Sequence, residues 1–499
     1  MPPQPAAAKR ARRDAGPSGA GGGGAEEDPA AEAAAAGGAI VELEGPDGKS
    51  AGPALELPLT ADGAQLNTLL NRLLRNEDAR PYSFFIDDRE LGGELGAHLR
   101  QFKVSMEAVT IKYRPQAFFK TRPLTRSSAT IPGHTDAVLD IKFSPDGRHL
   151  ASGSGDTTVR FWNLGTQLPL HQCRGHRDHV LCVAWSPDAQ LLASGGMDGL
   201  VHLWDPATGA GLGACQAHKQ WITSLAWEPA HLRLPAERFV TGSKDTTARV
   251  WDARTRRCLL TLGGHTRAVS AVKWGGDGVI YTASRDSLIF LWDSSKGSVI
   301  KQLKGHAHWV NTLTLSSEYA LRTGAFDHRG AAPADPAAAR EAARKRYEAA
   351  TGGRPVRLVS GSDDFTMILW EPAESKGPRH RLTGHQALVN QVLFSPDGNW
   401  IASAGFDKCI KLWNGATGKF VANFRGHVGP VYQIAWSPDS RLILSGSKDS
   451  TLKVWSVRTG KIAVDLPGHA DEVYAVDWAP TGTFAGSGGK DRMLKLWRH

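Results

Sequence analysis

The sequence predicts a mainly β protein: an eight-bladed β-propeller preceded by a small α+β domain. Three observations predict it. One set of markers recurs eight times between residue 133 and the end of the chain. Its spacing, mostly 41–43 residues, is that of a single four-stranded sheet repeated around a ring. Ahead of the repeats, residues 39–119 read as two strands, a helix and further strands that share one apolar face.

Residues 1–38 are rich in Ala, Gly and Pro and too poor in apolar bulk to bury a core, so a disordered tail is expected. Within it Lys9–Arg13, KRARR, matches a short basic nuclear-import cluster, a pattern that flexible tails also acquire by chance. Residues 39–122 differ. AIVELEG and ALELPLT alternate as strands around a Pro-Asp-Gly turn. Leucines 66, 69, 70, 73 and 74 then form one helical face, with Asp62 or a neighbour placed to cap it. YSFFI reads as a strand, ELGAHL as a short turn or helix, and AVTIKY as a final strand, which is the order of a ubiquitin-like β-grasp. After YSFFI come Asp87, Asp88, Arg89 and Glu90: three carboxylates in four positions, read locally as a solvated strand turn.

From residue 123 to 499 the pattern is Gly-His, an apolar strand, SPDG, SGSxD and a Trp. The histidines are His134, His176, His218, His265, His306, His385, His427 and His469. The closing tryptophans are Trp162, Trp204, Trp251, Trp292, Trp370, Trp413, Trp455 and Trp497. Six residues before each stands an aspartate: Asp156, Asp198, Asp245, Asp286, Asp364, Asp407, Asp449 and Asp491. This resembles the WD40 repeat. In a tight turn the Asp can hydrogen-bond the imidazole, which can reach a strand Ser or Thr and the Trp. A buried polar chain of this kind is tolerable only when every member is satisfied, so the residues recur together. Repeated once per blade, they read as structural, not as metal ligands. The chain ends just after the last Trp, without room for a fourth strand. The segment Arg126–Ile131 can supply it and close the ring, removing the open edges. In the fifth unit an alanine- and charge-rich insertion, about residues 325–355, reads as a solvated helical linker starting after Pro336. A basic docking helix through Arg340, Arg344, Lys345 and Arg346 is the alternative.

The net charge is +9, of which residues 123–499 carry +11, a bias toward phosphate-rich or acidic surroundings. No apolar run is long enough to span a membrane, and the N-terminus lacks a secretory pattern, so an intracellular protein is expected. Five widely spaced cysteines fit free thiols in a reducing compartment. No Gly-x-Ser-x-Gly, phosphate loop or metal-ligand spacing occurs, so no enzymatic activity is expected; the fold presents loops to partners. Just after the Gly-His pairs, Arg177, Trp221, Arg267 and Trp309 are the large aromatic and Arg side chains of one face, types that dominate interface energies.

The linking stretch YRPQAFFKTRPLTR and the phrases ASGSGDTTVRFW, LRTGAF, VSGSDDFTMILW, TGHQALVNQVLFSPD and LPGHADEVYAVDW are more specific than a generic repeat. With a ubiquitin-like domain in front, they resemble the Notchless family of ribosome-assembly factors over residues 39–499. The resemblance implies a protein of the nucleus, nucleolus and nucleoplasm, whose propeller anchors on precursors of the large (60S) ribosomal subunit. It implies that the ubiquitin-like NLE domain is gripped by Midasin, a giant dynein-like AAA ATPase. Midasin's adhesion site holds a divalent ion, expected to be Mg²⁺, that accepts a partner carboxylate. That carboxylate maps onto Glu90, with Asp88 two residues earlier as a turn or supporting residue. The family is also linked to Notch signalling. Two other readings share the fold: a substrate receptor of a cullin-type ubiquitin ligase, through the W-D-x-R pattern at Trp251–Arg254, and a cytoplasmic Notch-pathway adaptor.

Overall fold

The computed structural model describes residues 38–46, 48–76, 79–87, 89–105, 108–117, 119–375 and 377–499. Apart from Gly38, the tail and its KRARR cluster lie outside the described residues. Described residues up to Arg114 form one compact unit and Pro115–His499 another.

The first unit runs β1 (Gly38–Glu44), β2 (Leu55–Pro58), α1 (Gly63–Leu73), β3 (Tyr82–Ile86), β4 (Arg89–Glu90), α2 (Leu95–Phe102) and β5 (Val109–Pro115). The sheet order is β2-β1-β5-β3-β4, with β1 parallel to β5 and antiparallel to β2. Strict alternation in β1 sends Ala39, Val41 and Leu43 inward onto Leu66 and Leu70 of α1 and Leu95 and Leu99 of α2. Asp62 caps α1, accepting from the N–H groups of Ala64 (3.0 Å) and Gln65 (2.9 Å). Gln65 Oε1 in turn accepts from the Asp62 N–H, which completes a capping box.

The second unit contains eight four-stranded antiparallel sheets. Seven use consecutive strands: blade 1 (138–174), blade 2 (180–216), blade 3 (222–263), blade 4 (269–304), blade 5 (310–382), blade 6 (389–425) and blade 7 (431–466). Blade 8 has three strands from 473–498, and its outer strand is β6 (Arg126–Ile131), paired antiparallel with Leu494–Arg498. Inner strands of neighbouring blades contact one another in a closed ring, Val473–Trp478 lying against Val138–Phe143.

In all eight blades the imidazole Nδ1 meets the turn Asp and Nε2 meets a Ser or Thr hydroxyl on the second strand. The same hydroxyl oxygen accepts the Trp Nε1–H. In blade 7 all three contacts, Asp449–His427–Ser445–Trp455, are 2.8 Å. Burial opposes ionisation of the turn aspartates, but hydrogen bonds outweigh it. Donors from His176 and the Arg177 and Leu200 N–H groups bring Asp198 down to about 2. Thr451, His427 and the Val428 N–H do the same for Asp449, also to about 2. Burial holds the rings of His134 and His427 below their usual pKa.

A second polar layer joins the blades. Inner-strand side chains accept backbone N–H groups from the next blade: Asp140 from Val183 (3.0 Å), Gln391 from Ile434 (2.6 Å), Gln433 from Val476 (2.6 Å) and Asp477 from Phe143 (2.8 Å).

The sequence predicts a solvated insertion in blade 5; in the structure residues 316–357 instead pack across the ring. Two helices lie there, α3 (Glu318–Thr323) and α4 (Pro336–Thr351), the latter capped by Asp335. Arg322 forks onto Asp477 (2.8 and 2.5 Å), Glu318 pairs with Lys273, and Tyr319 donates to the Pro480 carbonyl (3.3 Å). Tyr347 of α4 stacks on His231 at 4.5 Å, and Ala339 and Ala343 pack against Ala230 and Ala325. Two glycines are required by close approach. Gly324 (φ 54°) and Gly330 (φ 74°) have left-handed backbones, and a Cβ would lie 2.5 Å from the Pro187 carbonyl and 2.1 Å from that of Asp146. Ala-rich composition conceals this packing because its contacts are all non-local. The anchoring points sit at or just after the ends of the inner strands, so the insertion covers the face opposite the Gly-His loops.

Three outcomes are expected. Asp449→Ala leaves the buried His427 imidazole without its acceptor and should cost about 1–3 kcal/mol in urea unfolding. Because the turn aspartates and these histidines bind protons more weakly when folded, stability should fall on acidification. The fall should begin below about pH 6.5 through His134 and His427 and continue below about pH 4 through Asp198 and Asp449, flattening near pH 2. Arg322→Ala should destabilise by about 1–3 kcal/mol, since Asp477 stays buried without its cation, and adding Asp477→Asn should recover part of the loss.

Candidate functional site

The first candidate site is the hairpin β3–β4. Phe84 and Ile86 point into the core, so Ser83 and Phe85 take the opposite face of the sheet. Cross-strand pairing sets Phe85 opposite Glu90 and Ile86 opposite Arg89. Glu90 therefore projects from the sheet face away from the helices, on an edge strand, and is half-buried. Ser83 Oγ donates to its Oε1 at 3.3 Å. Arg89, on the other face, lays its guanidinium over the Phe102 ring at 4.2 Å, and the Leu91 N–H closes onto the Phe84 carbonyl at 2.8 Å. Arg114 covers Phe85 at 4.7 Å.

The three acids are thus not equivalent. Asp87 is exposed with φ 49°, a left-handed turn position that Asp tolerates better than most residues. Asp88 lies outside the described residues. Of the two described acids, Glu90 is the one in a strand. The two-residue strand β4 and the Ser83 contact escaped sequence reading, because β4 is too short to show alternation.

The second candidate is the propeller face carrying the Gly-His loops. Arg177 and Arg267 are exposed there; the Arg177 N–H donates to Asp198 (2.9 Å), and the Arg267 carbonyl accepts from Ser284 (3.0 Å). Trp221 is 40% exposed, with Lys244 Nζ 4.0 Å from its ring centre. Trp309 lies half-buried beneath the Arg285 guanidinium at 4.6 Å. The four residues share a face without converging on one pocket. Sequence reading missed an aromatic row across blades 6–8: Phe406 packs edge-on against Tyr432 (5.8 Å), which packs against Tyr474 (5.5 Å) and donates to Glu472 (2.9 Å). The two tyrosines occupy β-bulge positions on inner strands, a register detail that the repeat pattern alone does not expose. Cation–π and aromatic pairs of this kind are suited to holding a partner's side chains.

The W-D-x-R stretch is accounted for within its blade. Trp251 is buried and donates to Thr241 (2.8 Å), and Asp252 accepts the Thr255 N–H (2.7 Å) in the turn that follows.

The WD domain, G-beta repeat family matches seven segments, 125–163, 167–205, 211–252, 256–293, 376–414, 418–456 and 460–498. The blade without a match is blade 5, whose first two strands the insertion separates. The NLE (NUC135) domain family matches residues 41–99. The chain is 57% identical to the Notchless protein homolog of Arabidopsis thaliana, covering 77% of this chain and 81% of that protein. It is 48% identical to Protein Notchless of Drosophila melanogaster (70% and 73%) and 47% identical to Ribosome assembly protein 4 of Saccharomyces cerevisiae (76% and 78%). Among solved structures, the computationally designed Ika8 protein aligns with a TM-score of 0.59 at 25% identity, over 75% of this chain and all of that one.

Proposed function

The chain belongs to the Notchless family, and on that premise we propose that it is a non-enzymatic assembly factor for the large (60S) ribosomal subunit, acting in the nucleolus and nucleoplasm. The propeller anchors on the pre-60S particle, where the positive charge of residues 123–499 suits a phosphate-rich surface, and Arg177, Trp221, Arg267 and Trp309 supply contacts. The N-terminal domain offers Glu90 to the metal-ion adhesion site of a Midasin-type AAA ATPase, whose movement then pulls on the particle.

The observation that carries this reading is the placement of Glu90 on an edge strand, facing away from the helices, with Oε1 steadied by Ser83. A hard Mg²⁺ wants near-octahedral oxygen ligands and can take one incoming carboxylate oxygen. The ion and its other ligands belong to the partner; the chain contributes a carboxylate and no cofactor of its own. A metal–carboxylate bond is directional, which suits the transmission of a pull. Asp87 serves the turn.

In a pull-down with the Midasin adhesion domain, Glu90→Ala should lower binding at least tenfold. Glu90→Asp, which withdraws the carboxylate by one methylene, should do the same, as should EDTA on the unaltered chain. Binding that survives both substitutions and chelation would sink the metal bridge. Cosedimentation with large-subunit precursors on a sucrose gradient tests the assembly role separately. Copurification with a cullin adaptor, or confinement to the cytoplasm with Notch-pathway proteins, would favour the other readings.

A further inference from the structure

Blade 2 departs from its seven siblings at one position. Two residues before the closing Trp the others carry Arg160, Arg249, Phe290, Ile368, Lys411, Lys453 and Lys495, and blade 2 carries His202. Its ring stacks on Trp204 at 5.5 Å and meets the ring of His176 edge-on at 4.5 Å. His202 Nε2 is buried with no hydrogen-bond partner among the described residues. Asp198 is also less saturated than some of its counterparts. Thr158, Thr247, Thr366 and Thr451 donate hydroxyls to the turn Asp of blades 1, 3, 5 and 7, and Leu200 takes that place in blade 2. Blades 4, 6 and 8 lack the hydroxyl too, but none of them adds a second imidazole.

We propose that blade 2 is a binding site for a Zn²⁺-class transition-metal cation, ligated by His176 Nδ1, Asp198 and a ring nitrogen of His202. Ligand atoms of the three residues lie within 4.8 Å of one another. Two imidazoles and a carboxylate are a donor set that suits Zn²⁺ in tetrahedral geometry, with water in the fourth position. With bonds of about 2.0–2.1 Å, neighbouring tetrahedral ligand atoms stand about 3.3 Å apart. His176 Nδ1 is already 3.0 and 3.2 Å from the two Asp198 oxygens, so one edge of the tetrahedron is nearly in place, and His202, within 4.8 Å of these atoms, completes the set by drawing closer.

The proton inventory balances. When the cation takes His176 Nδ1, the ring proton moves to Nε2, which then donates to Ser194 Oγ (2.8 Å). Trp204 Nε1–H continues to donate to the same oxygen (2.8 Å). The Ser194 hydroxyl turns toward a strand carbonyl, the contact that Ser403 makes to Lys411 (3.4 Å) and Ser445 to Lys453 (3.3 Å). No proton leaves the site.

The test is titration of the chelator-treated full chain with Co²⁺, followed by displacement with Zn²⁺ against a chromophoric chelator. One equivalent should bind with the intense visible bands of tetrahedral Co²⁺, and Zn²⁺ should bleach them. His202→Arg, which installs the residue that blades 1 and 3 carry there, should keep the fold and weaken binding at least tenfold. His202→Phe, matching blade 4, should behave alike. Absence of tetrahedral bands in the unaltered chain would overturn the proposal, as would equal binding by either variant or a stoichiometry that tracks all eight histidines.

Discussion

A histidine buried with both ring nitrogens engaged is the constraint on which each blade is built. A neutral imidazole has one donor and one acceptor, so it dictates its neighbours: a carboxylate on one side and a hydroxyl on the other, with the indole N–H completing the hydroxyl's valence. These residues come from a loop, a turn and two strands, so satisfying the ring fixes the relative placement of most of a blade. Leaving one member out strands a polar group in the interior, where it has no water to turn to. The residues therefore recur as a set, and the loops outside the set remain free to differ. The blades share a scaffold while Trp221, Trp309 and Tyr432 differentiate its surface.

What the sequence makes legible follows from this division. The tetrads read directly, because a buried polar chain must keep its intervals. The eighth blade's outer strand reads as well, because Arg126–Ile131 has strand character just upstream of the first repeat. Ala331–Glu348 shows how a local pattern misleads. Its helix was legible from Asp335 and Pro336, but its burial was not, since small alanines pack on Ala230 and Ala325 and a tyrosine finds His231 about a hundred residues away in sequence. The same limit applies to Glu90. Three acids near a turn look alike until cross-strand pairing with Phe85 assigns one of them a direction.

The two units solve opposite problems. The propeller spreads its stability over a closed ring, with inner-strand carboxylates and amides bonded from blade to blade and an insertion packed over one face. A surface of this kind resists deformation and leaves the Gly-His face for contacts. The N-terminal domain instead ends its sheet on a two-residue edge strand, braced on one face by Arg89 over Phe102 and on the other by Ser83.

The strand that closes the ring comes from the side of the chain nearest the N-terminal domain, and this has a mechanical consequence. Traction on the chain ahead of residue 115 would otherwise arrive directly at β6 and peel it from the last strand, one ladder bond at a time. Between the two lies a moored stretch. Gln116 bonds Arg441, Phe119 stacks on His328 at 4.8 Å, the Thr121 N–H donates to buried Asp439 at 2.7 Å, and Leu124 is fully buried in the core of blades 7 and 8. These anchors act as a strain relief. A load applied there would be shared among the insertion, blade 7 and the core before it reached the closing seam.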